Sequence, residues 1–194
     1  MKGGPYKLLN SLRFWRAGCS DDGATSIAEV LRLGGADVKL SYLELLDCNI
    51  GPRGANAIGA SLSRGHNLSL LTLKLDYNSS LGDEGLDFLC KGLRTNISLK
   101  QLHLQCCKLT SDAGVSLQEL LANSRSNIEV LNITGNRIED KGLQIMCRGL
   151  IQNTKCTTLI LADNAIDYSE SVEGVAGLRD CLLCPTVALT KVDL

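Results

Sequence analysis

The chain has 194 residues, with 20 Lys+Arg against 21 Asp+Glu, and 44% of its residues are hydrophobic. This near balance lacks the basic footprint of a nucleic-acid or anionic-membrane binder, and no apolar run approaches the roughly 18–20 residues that span a bilayer. The opening Met1-Lys2-Gly3-Gly4-Pro5-Tyr6 lacks the apolar stretch of a secretory signal, so a cytoplasmic protein is expected.

From Leu9 onward one line recurs: Leu or Ile, two variable residues, Leu, one variable residue, an apolar residue, two variable residues, then a small or polar residue. It starts at Leu9, Leu40, Leu70, Leu99, Ile128 and Cys156, and a seventh copy begins at Leu189, giving spacings of 31, 30, 29, 29, 28 and 33 residues. Periods of this size signal a solenoid.

In the first repeat Leu12 and Phe14, two apart, point to one side of a predicted strand. Cys19 and Gly23 follow, then Ile27 and Leu31 at helical spacing, and Gly34-Gly35 closes the helix. The second repeat repeats the order with Leu43/Leu45, Gly54 and Ile58/Leu62. The third has Leu73/Leu75, Gly85 and Leu89/Leu93, and the fourth Leu102/Leu104, Ala113 and Leu117/Leu121. The fifth has Leu131/Ile133, Gly142 and Met146/Leu150. In the sixth, Leu159/Leu161 predicts the strand, but the helical pattern resumes only at Gly174, through Leu178 and Leu182. About four extra residues between Tyr168 and Glu173 are therefore expected to loop out. The seventh stops within a strand, Leu189 to Leu194, and reads as a piece of a longer solenoid.

Each turn after a strand offers its own backbone partner. Asn78, Asn136 and Asn164 are expected to form an amide ladder, with Cys48 and Cys107 filling the same slot more weakly. The carboxylate pairs Asp83/Glu84 and Glu139/Asp140 are expected to cap first helical turns and meet the helix dipole. Seven short strands in register, about 4.8 Å apart, would make one parallel sheet roughly 29 Å across. The expected fold is an α/β solenoid, a right-handed α/β horseshoe with the sheet concave and the helices convex, forming a single domain over 1–194.

The nine cysteines are locked to repeat positions. Cys90 and Cys147 are equivalent, and Cys19 and Cys156 fill apolar slots, so all read as reduced structural thiols. Cys181 and Cys184 have CxxC spacing without a second ligand pair, so no metal is expected. The sequons at Asn67, Asn78, Asn96 and Asn132 would matter only in a secreted protein.

The variable strand positions are free to recognise something. One column reads Arg13, Glu44, Lys74, His103, Asn132, Ile160 and Asp193; the next Trp15, Leu46, Asp76, Gln105, Thr134 and Ala162; the third Arg16, Asp47, Tyr77, Cys106, Gly135 and Asp163. Large, aromatic and charged groups occupy the early repeats and small ones the later. With Tyr42, the first two columns through the fourth repeat and the third through Tyr77 form the candidate partner-binding surface, because hot spots favour Trp, Tyr and Arg. The competing reading packs Trp15 against the segment around Tyr6 and lets Arg13, Glu44 and Lys74 pair across strands. Neither His66 nor His103 has a nucleophile at recognisable spacing, and no phosphate-binding glycine loop is present. No catalytic residue and no cofactor are expected.

The line LxxLxLxx(N/C)x(L/I), followed by a small residue and an amphipathic helix, resembles the ribonuclease-inhibitor-like subfamily of leucine-rich repeats over nearly the whole chain. The resemblance implies a non-enzymatic scaffold binding a protein partner through the concave sheet. Relatives of this type suggest two alternatives. One is a regulator resembling the Ran GTPase activator, using Arg16 or Arg53; the other is the sensor end of a NOD-like receptor. The near-neutral chain lacks the acidic surface expected of a ribonuclease inhibitor proper. The unfinished last strand is expected to offer an edge for end-to-end self-association.

Overall fold

The structure is a computed structural model and describes residues 8–34, 39–63, 67–167 and 173–194. Strands and helices alternate strictly: β1 (Ser11–Trp15), α1 (Ser20–Gly34), β2 (Tyr42–Leu46), α2 (Pro52–Leu62), β3 (Thr72–Lys74), α3 (Gly82–Leu93), β4 (Gln101–His103), α4 (Ala113–Ala122), β5 (Val130–Asn132), α5 (Glu139–Leu150), β6 (Thr158–Ile160), α6 (Glu173–Leu183) and β7 (Lys191–Asp193). The seven strands pair in parallel in chain order, one sheet without a crossover. Leu12, Leu43, Leu73, Leu102, Leu131, Leu159 and Val192 share one register line. This is the α/β leucine-rich-repeat solenoid, built from strand–turn–helix layers.

The period-2 pattern explains the core. Leu43, Leu45, Leu73, Leu75, Leu102, Leu104, Leu131, Ile133, Leu159 and Leu161 are all 0% exposed, and they meet the helical stripes Ile58/Leu62, Leu89/Leu93, Leu117/Leu121 and Met146/Leu150. Each layer hides its apolar face only against its neighbours. In the sixth layer the stripe differs from the expected one: Leu178 and Cys181 are buried, while Leu182 is 50% exposed. The spacing here is i, i+3, so the adjacent Leu182 rotates off the core. The loop expected at Tyr168–Glu173 and the histidine His66 fall outside the described residues, apart from the start of α6.

The amide ladder has a direction. Asn78 accepts the backbone N–H groups of Cys48 and Ile50, both at 3.0 Å, and donates to the carbonyls of Leu45 and Leu75, both at 2.8 Å. Asn136 does the same for Cys107 and Leu109, both at 3.0 Å, donating to Leu104 and Ile133. Asn164 repeats it toward Ile138 and Leu161. Asn78 and Asn136 thus each satisfy four backbone groups that would otherwise be stranded, three in the turn of the layer before and one carbonyl of their own layer. The Cys107 thiol donates to Leu75 O at 3.2 Å and Gln105 O at 3.4 Å, and Cys48 donates to Leu46 O at 3.3 Å. Sulfur is the weaker partner.

A second amide ladder lies at the opposite ends of the strands. Asn96 Nδ2 donates to Leu62 O at 2.8 Å and its Oδ1 accepts from Leu99 N–H at 2.7 Å. Asn153 does likewise toward Leu121 and Cys156, and Asn67 accepts from Leu70 N–H at 2.9 Å. All four sequon asparagines, Asn67, Asn78, Asn96 and Asn132, are buried, and the first three are posts of these two ladders.

The expected carboxylates, Asp83/Glu84 and Glu139/Asp140, do lie in the first turns of α3 and α5, where they meet the helix dipole, but their hydrogen bonding differs from a cap. The N-caps of α3 and α5 make no side-chain capping bond. Asp83 instead reaches the next layer and accepts from Thr110, N–H at 2.8 Å and Oγ1 at 2.6 Å. Asp21 in α1 accepts from Gly51 N–H at 2.7 Å and Gly54 N–H at 2.9 Å, capping α2 across the layer boundary. Glycine permits this approach, since a Cβ on Gly54 would lie 2.6 Å from Asp21 Oδ1.

Candidate functional site

The strand register brings the predicted columns together. Arg13, Glu44, Lys74 and His103 are direct neighbours on β1 to β4, and Trp15 stands beside Leu46. Their side chains leave the sheet on the side away from the helices because the buried leucines alternate with them. Among the described residues no ion pair joins Arg13, Glu44 and Lys74 across the strands. Arg13 stacks over the Tyr42 ring with its guanidinium carbon 4.7 Å from the centroid, and Lys74 approaches the same ring at 5.9 Å. Tyr42 donates its hydroxyl proton to Glu44 Oε2. Burial, with the Glu44 hydrogen bond and charge, pushes the phenol up to about 12. Tyr42 is thus fixed as a platform between two cations, an arrangement of cation–π contacts.

Beyond the strands the next column turns. Arg16, Asp47, Tyr77, Cys106, Gly135 and Asp163 all have φ between 50° and 70°, the left-handed region that side chains enter only when the surroundings hold them there. The holding bonds are backbone bonds to the next layer: Arg16 N–H to Leu46 O at 3.0 Å, Asp47 N–H to Asp76 O at 3.1 Å and Tyr77 N–H to Gln105 O at 2.7 Å. The turn throws the side chains outward. Trp15 is 71% exposed and Tyr77 50%, while the Arg16 guanidinium sits 5.6 Å from the Trp15 ring and 3.0 Å from Asp47 Oδ2.

Two members of the predicted set have a different character. Asp76 is 4% exposed and its Oδ1 accepts the Gln105 N–H at 2.8 Å, so it serves the next turn rather than a partner. Burial pushes its carboxyl above the usual range, against the Gln105 bond and the Lys74 charge. His103 is half-buried; desolvation first, then the Lys74 charge, hold it down at about 4, so it is neutral at physiological pH. Glu44, Leu46, Lys74 and Gln105 are half-buried, and Arg13, Arg16 and Asp47 are exposed. The surface therefore has an aromatic and cationic rim over a tightly fitted polar floor. On the later layers Asn132 is buried, its Oδ1 taken by Thr134 at 2.8 Å.

Six of the nine thiols are buried and belong to the packing. Cys147 hydrogen-bonds to Cys181 between α5 and α6, which together with burial raises its pKa. Burial raises Cys90, Cys107 and Cys156 to about 12, so none is a ready nucleophile. Among the described residues no helix is long and apolar enough to cross a membrane.

Sequence spacing missed two things. Asn67, Asn96 and Asn153 each precede a repeat start by three residues, a signal that would have exposed the second ladder. The engagement of Asp76 has no such signal, because it depends on where the next layer's amide falls.

Comparison with known proteins agrees with this geometry. A family model for the leucine-rich repeat matches residues 66–90, 95–117 and 126–147. The chain is 34% identical over 143 residues to mouse (Mus musculus) NACHT, LRR and PYD domains-containing protein 12, covering 73% of this chain and 13% of that protein. It is 30% identical over 148 residues to human (Homo sapiens) NACHT, LRR and PYD domains-containing protein 13, covering 76% and 14%. It is 31% identical over 137 residues to leucine-rich repeat-containing protein AAC1 of Dictyostelium discoideum, covering 70% and 17%. The chain thus spans less than a fifth of the length of these relatives. Among solved structures, the actin-binding site 2 of leiomodin-1 superposes with a TM-score of 0.62 at 17% identity, covering 73% of this chain and 77% of that one. The tropomodulin C-terminal domain of Caenorhabditis elegans gives 0.59 at 14% identity, covering 74% and 81%. With its sheet, its asparagine ladder and its repeat line all in register, the chain is a leucine-rich-repeat protein of the ribonuclease-inhibitor-like type.

Proposed function

We propose that the chain is a non-enzymatic interaction module in the cytoplasm that binds a protein partner through the concave face of its first four repeats. The observation that carries the reading is the exposure of Trp15 and Tyr77 at a rim stiffened by Arg16, Asp47 and the Arg13–Tyr42–Lys74 stack. Large aromatic groups held in place lose little entropy on binding, which is why such residues dominate interface energetics. The cytoplasmic assignment rests on nine unpaired thiols, which persist in reducing compartments.

The test is capture from reducing lysate with the chain and with a Trp15→Ala/Tyr77→Ala form whose circular dichroism is unchanged. Loss of one specific protein from the variant supports the reading. Equal recovery of every specific protein by both forms overturns it.

Similarity to NACHT, LRR and PYD domains-containing proteins favours a second reading, in which these repeats are the sensing part of a larger receptor. An antibody raised against the repeats would then detect an endogenous product well above the 20.8 kDa of this chain. The GTPase-activator reading draws no such support. Arg16 and Arg53 are both exposed and carry only surface ion pairs, to Asp47 and Asp22, and among the described residues nothing beside them builds a site for a GTPase.

A further inference from the structure

Where the chain leaves β4 and β5, outside the surface described above, the turn rim carries a depression of about 560 Å³. Its walls come from two successive layers, Cys106, Lys108 and Thr110 on one and Gly135 and Arg137 on the next, with Ser79 at the near edge. Lys108 and Arg137 occupy the same turn position, two residues after the left-handed residue. The other layers place Gly18, Asn49, Ser79 and Ala165 there. Two cations on adjacent layers, about one strand spacing of 4.8 Å apart at the backbone, therefore occur at one place on this rim.

Gly135 lines the depression without a side chain. Its φ is +70°, and a Cβ would lie 2.6 Å from Cys106 Sγ, which packs against it. The equivalent positions on either side of the pair, Tyr77 and Asp163, carry exposed side chains, so the rim is lower at Cys106 and Gly135 than beside them.

The cations beside the depression are not neutralised from within. Among the described residues Lys108 has no ion pair, and Arg137 has only an exposed 3.4 Å contact with Glu139 of its own turn, the kind of pair that contributes little. The nearby Asp83 carboxylate is occupied by both donors of Thr110. Asp163 bounds the far side, so an incoming anion is favoured over the Lys108–Arg137 step and disfavoured one layer later.

We infer that this rim depression docks an extended acidic segment of a protein partner, one carboxylate between Lys108 and Arg137 and an adjacent small apolar side chain over Gly135. Charge complementarity selects the occupant: two cations on adjacent layers beside a shallow floor at Cys106 and Gly135 suit a carboxylate next to a short aliphatic group. The site shares no residue with the Trp15–Tyr77 rim, and the two stand or fall separately.

The test uses a fluorescein-labelled peptide, Gly-Ala-Glu-Val-Glu-Ala-Gly, titrated against the whole chain by anisotropy at low ionic strength. Saturable binding is expected. It should weaken roughly tenfold in Lys108→Ala/Arg137→Ala, vanish in Lys108→Glu/Arg137→Glu, and fall with added salt. Trp15→Ala should bind the peptide as the parent does. Circular dichroism checks that each variant is folded, and the alanine pair, at two exposed positions, gives a reading even where charge reversal perturbs the turn. No saturation below about 1 mM, equal binding of the glutamine version of the peptide, or indifference to the alanine pair overturns the proposal.

Discussion

A single buried amide decides more here than any surface charge. Asn136 satisfies two N–H groups of one layer and two carbonyls on that layer and its own. Asn136→Ala strands all four and should lower stability by about 2–3 kcal/mol, read as a fall in the urea midpoint. Asn136→Cys should lose less, because Cys48 and Cys107 already donate from this slot through sulfur. The half-buried imidazole makes a pH prediction at the same scale. Burial, aided by Lys74 and opposed by Glu44, lowers His103 from 6.5 to about 4. Between those values the unfolded chain holds the proton and the folded one does not, so stability from this group is full above pH 6.5 and is lost as pH falls toward 4. The loss should be on the order of 1–2 kcal/mol after solvent screening. The urea midpoint of the parent should fall across this window by more than that of His103→Gln; equal falls would remove His103 as the cause.

Helices in this chain touch backbone to backbone, and their small residues are the reason. A Cβ on Gly92 of α3 would lie 2.1 Å from the Gly59 carbonyl carbon of α2, and one on Gly149 of α5 2.5 Å from Gln118 O of α4. Gly92→Ala must push two helices apart and should cost about 3 kcal/mol. Gly18→Ala meets no atom within 4 Å and pays only for φ of +57°, about 1 kcal/mol. Thermal melts of the two should therefore differ clearly in midpoint. At this scale the sequence was nearly transparent. Leu43/Leu45 and Ile58/Leu62 announce a strand and a helix because periods of 2 and 3.6 are written in the residues themselves. The bonds of Asp83 to Thr110 were not legible because a carboxylate near a helix start looks the same whether it caps its own turn or reaches the next layer. Leu182 was misread because one residue of helical phase turns a core anchor into a half-exposed one.

At the scale of the whole molecule, the columns of the concave face were legible through alternation, which put Arg13, Glu44, Lys74 and His103 side by side before any coordinates. What alternation does not contain is depth and reach: that Asp76 sinks to bond Gln105, that two cations approach the Tyr42 ring, or that Gly135 packs against Cys106 beside Lys108. Those depend on distances between layers that no single repeat encodes. The same layering governs how damage spreads. Each asparagine of the turn ladder ties its layer to the one before, and each layer buries its core only against immediate neighbours, so stability is a chain of nearest-neighbour terms. Native-state hydrogen exchange on Asn136→Ala should then lose protection first at the amides of Cys107 and Leu109, which lose their acceptor, and next in the strands β4 and β5. The amides of Cys48 and Ile50, held by Asn78 two layers away, should keep most of theirs. Uniform loss across all four amides would mean instead that the seven strands open as one cooperative unit, and that the layers cannot be treated as separable links.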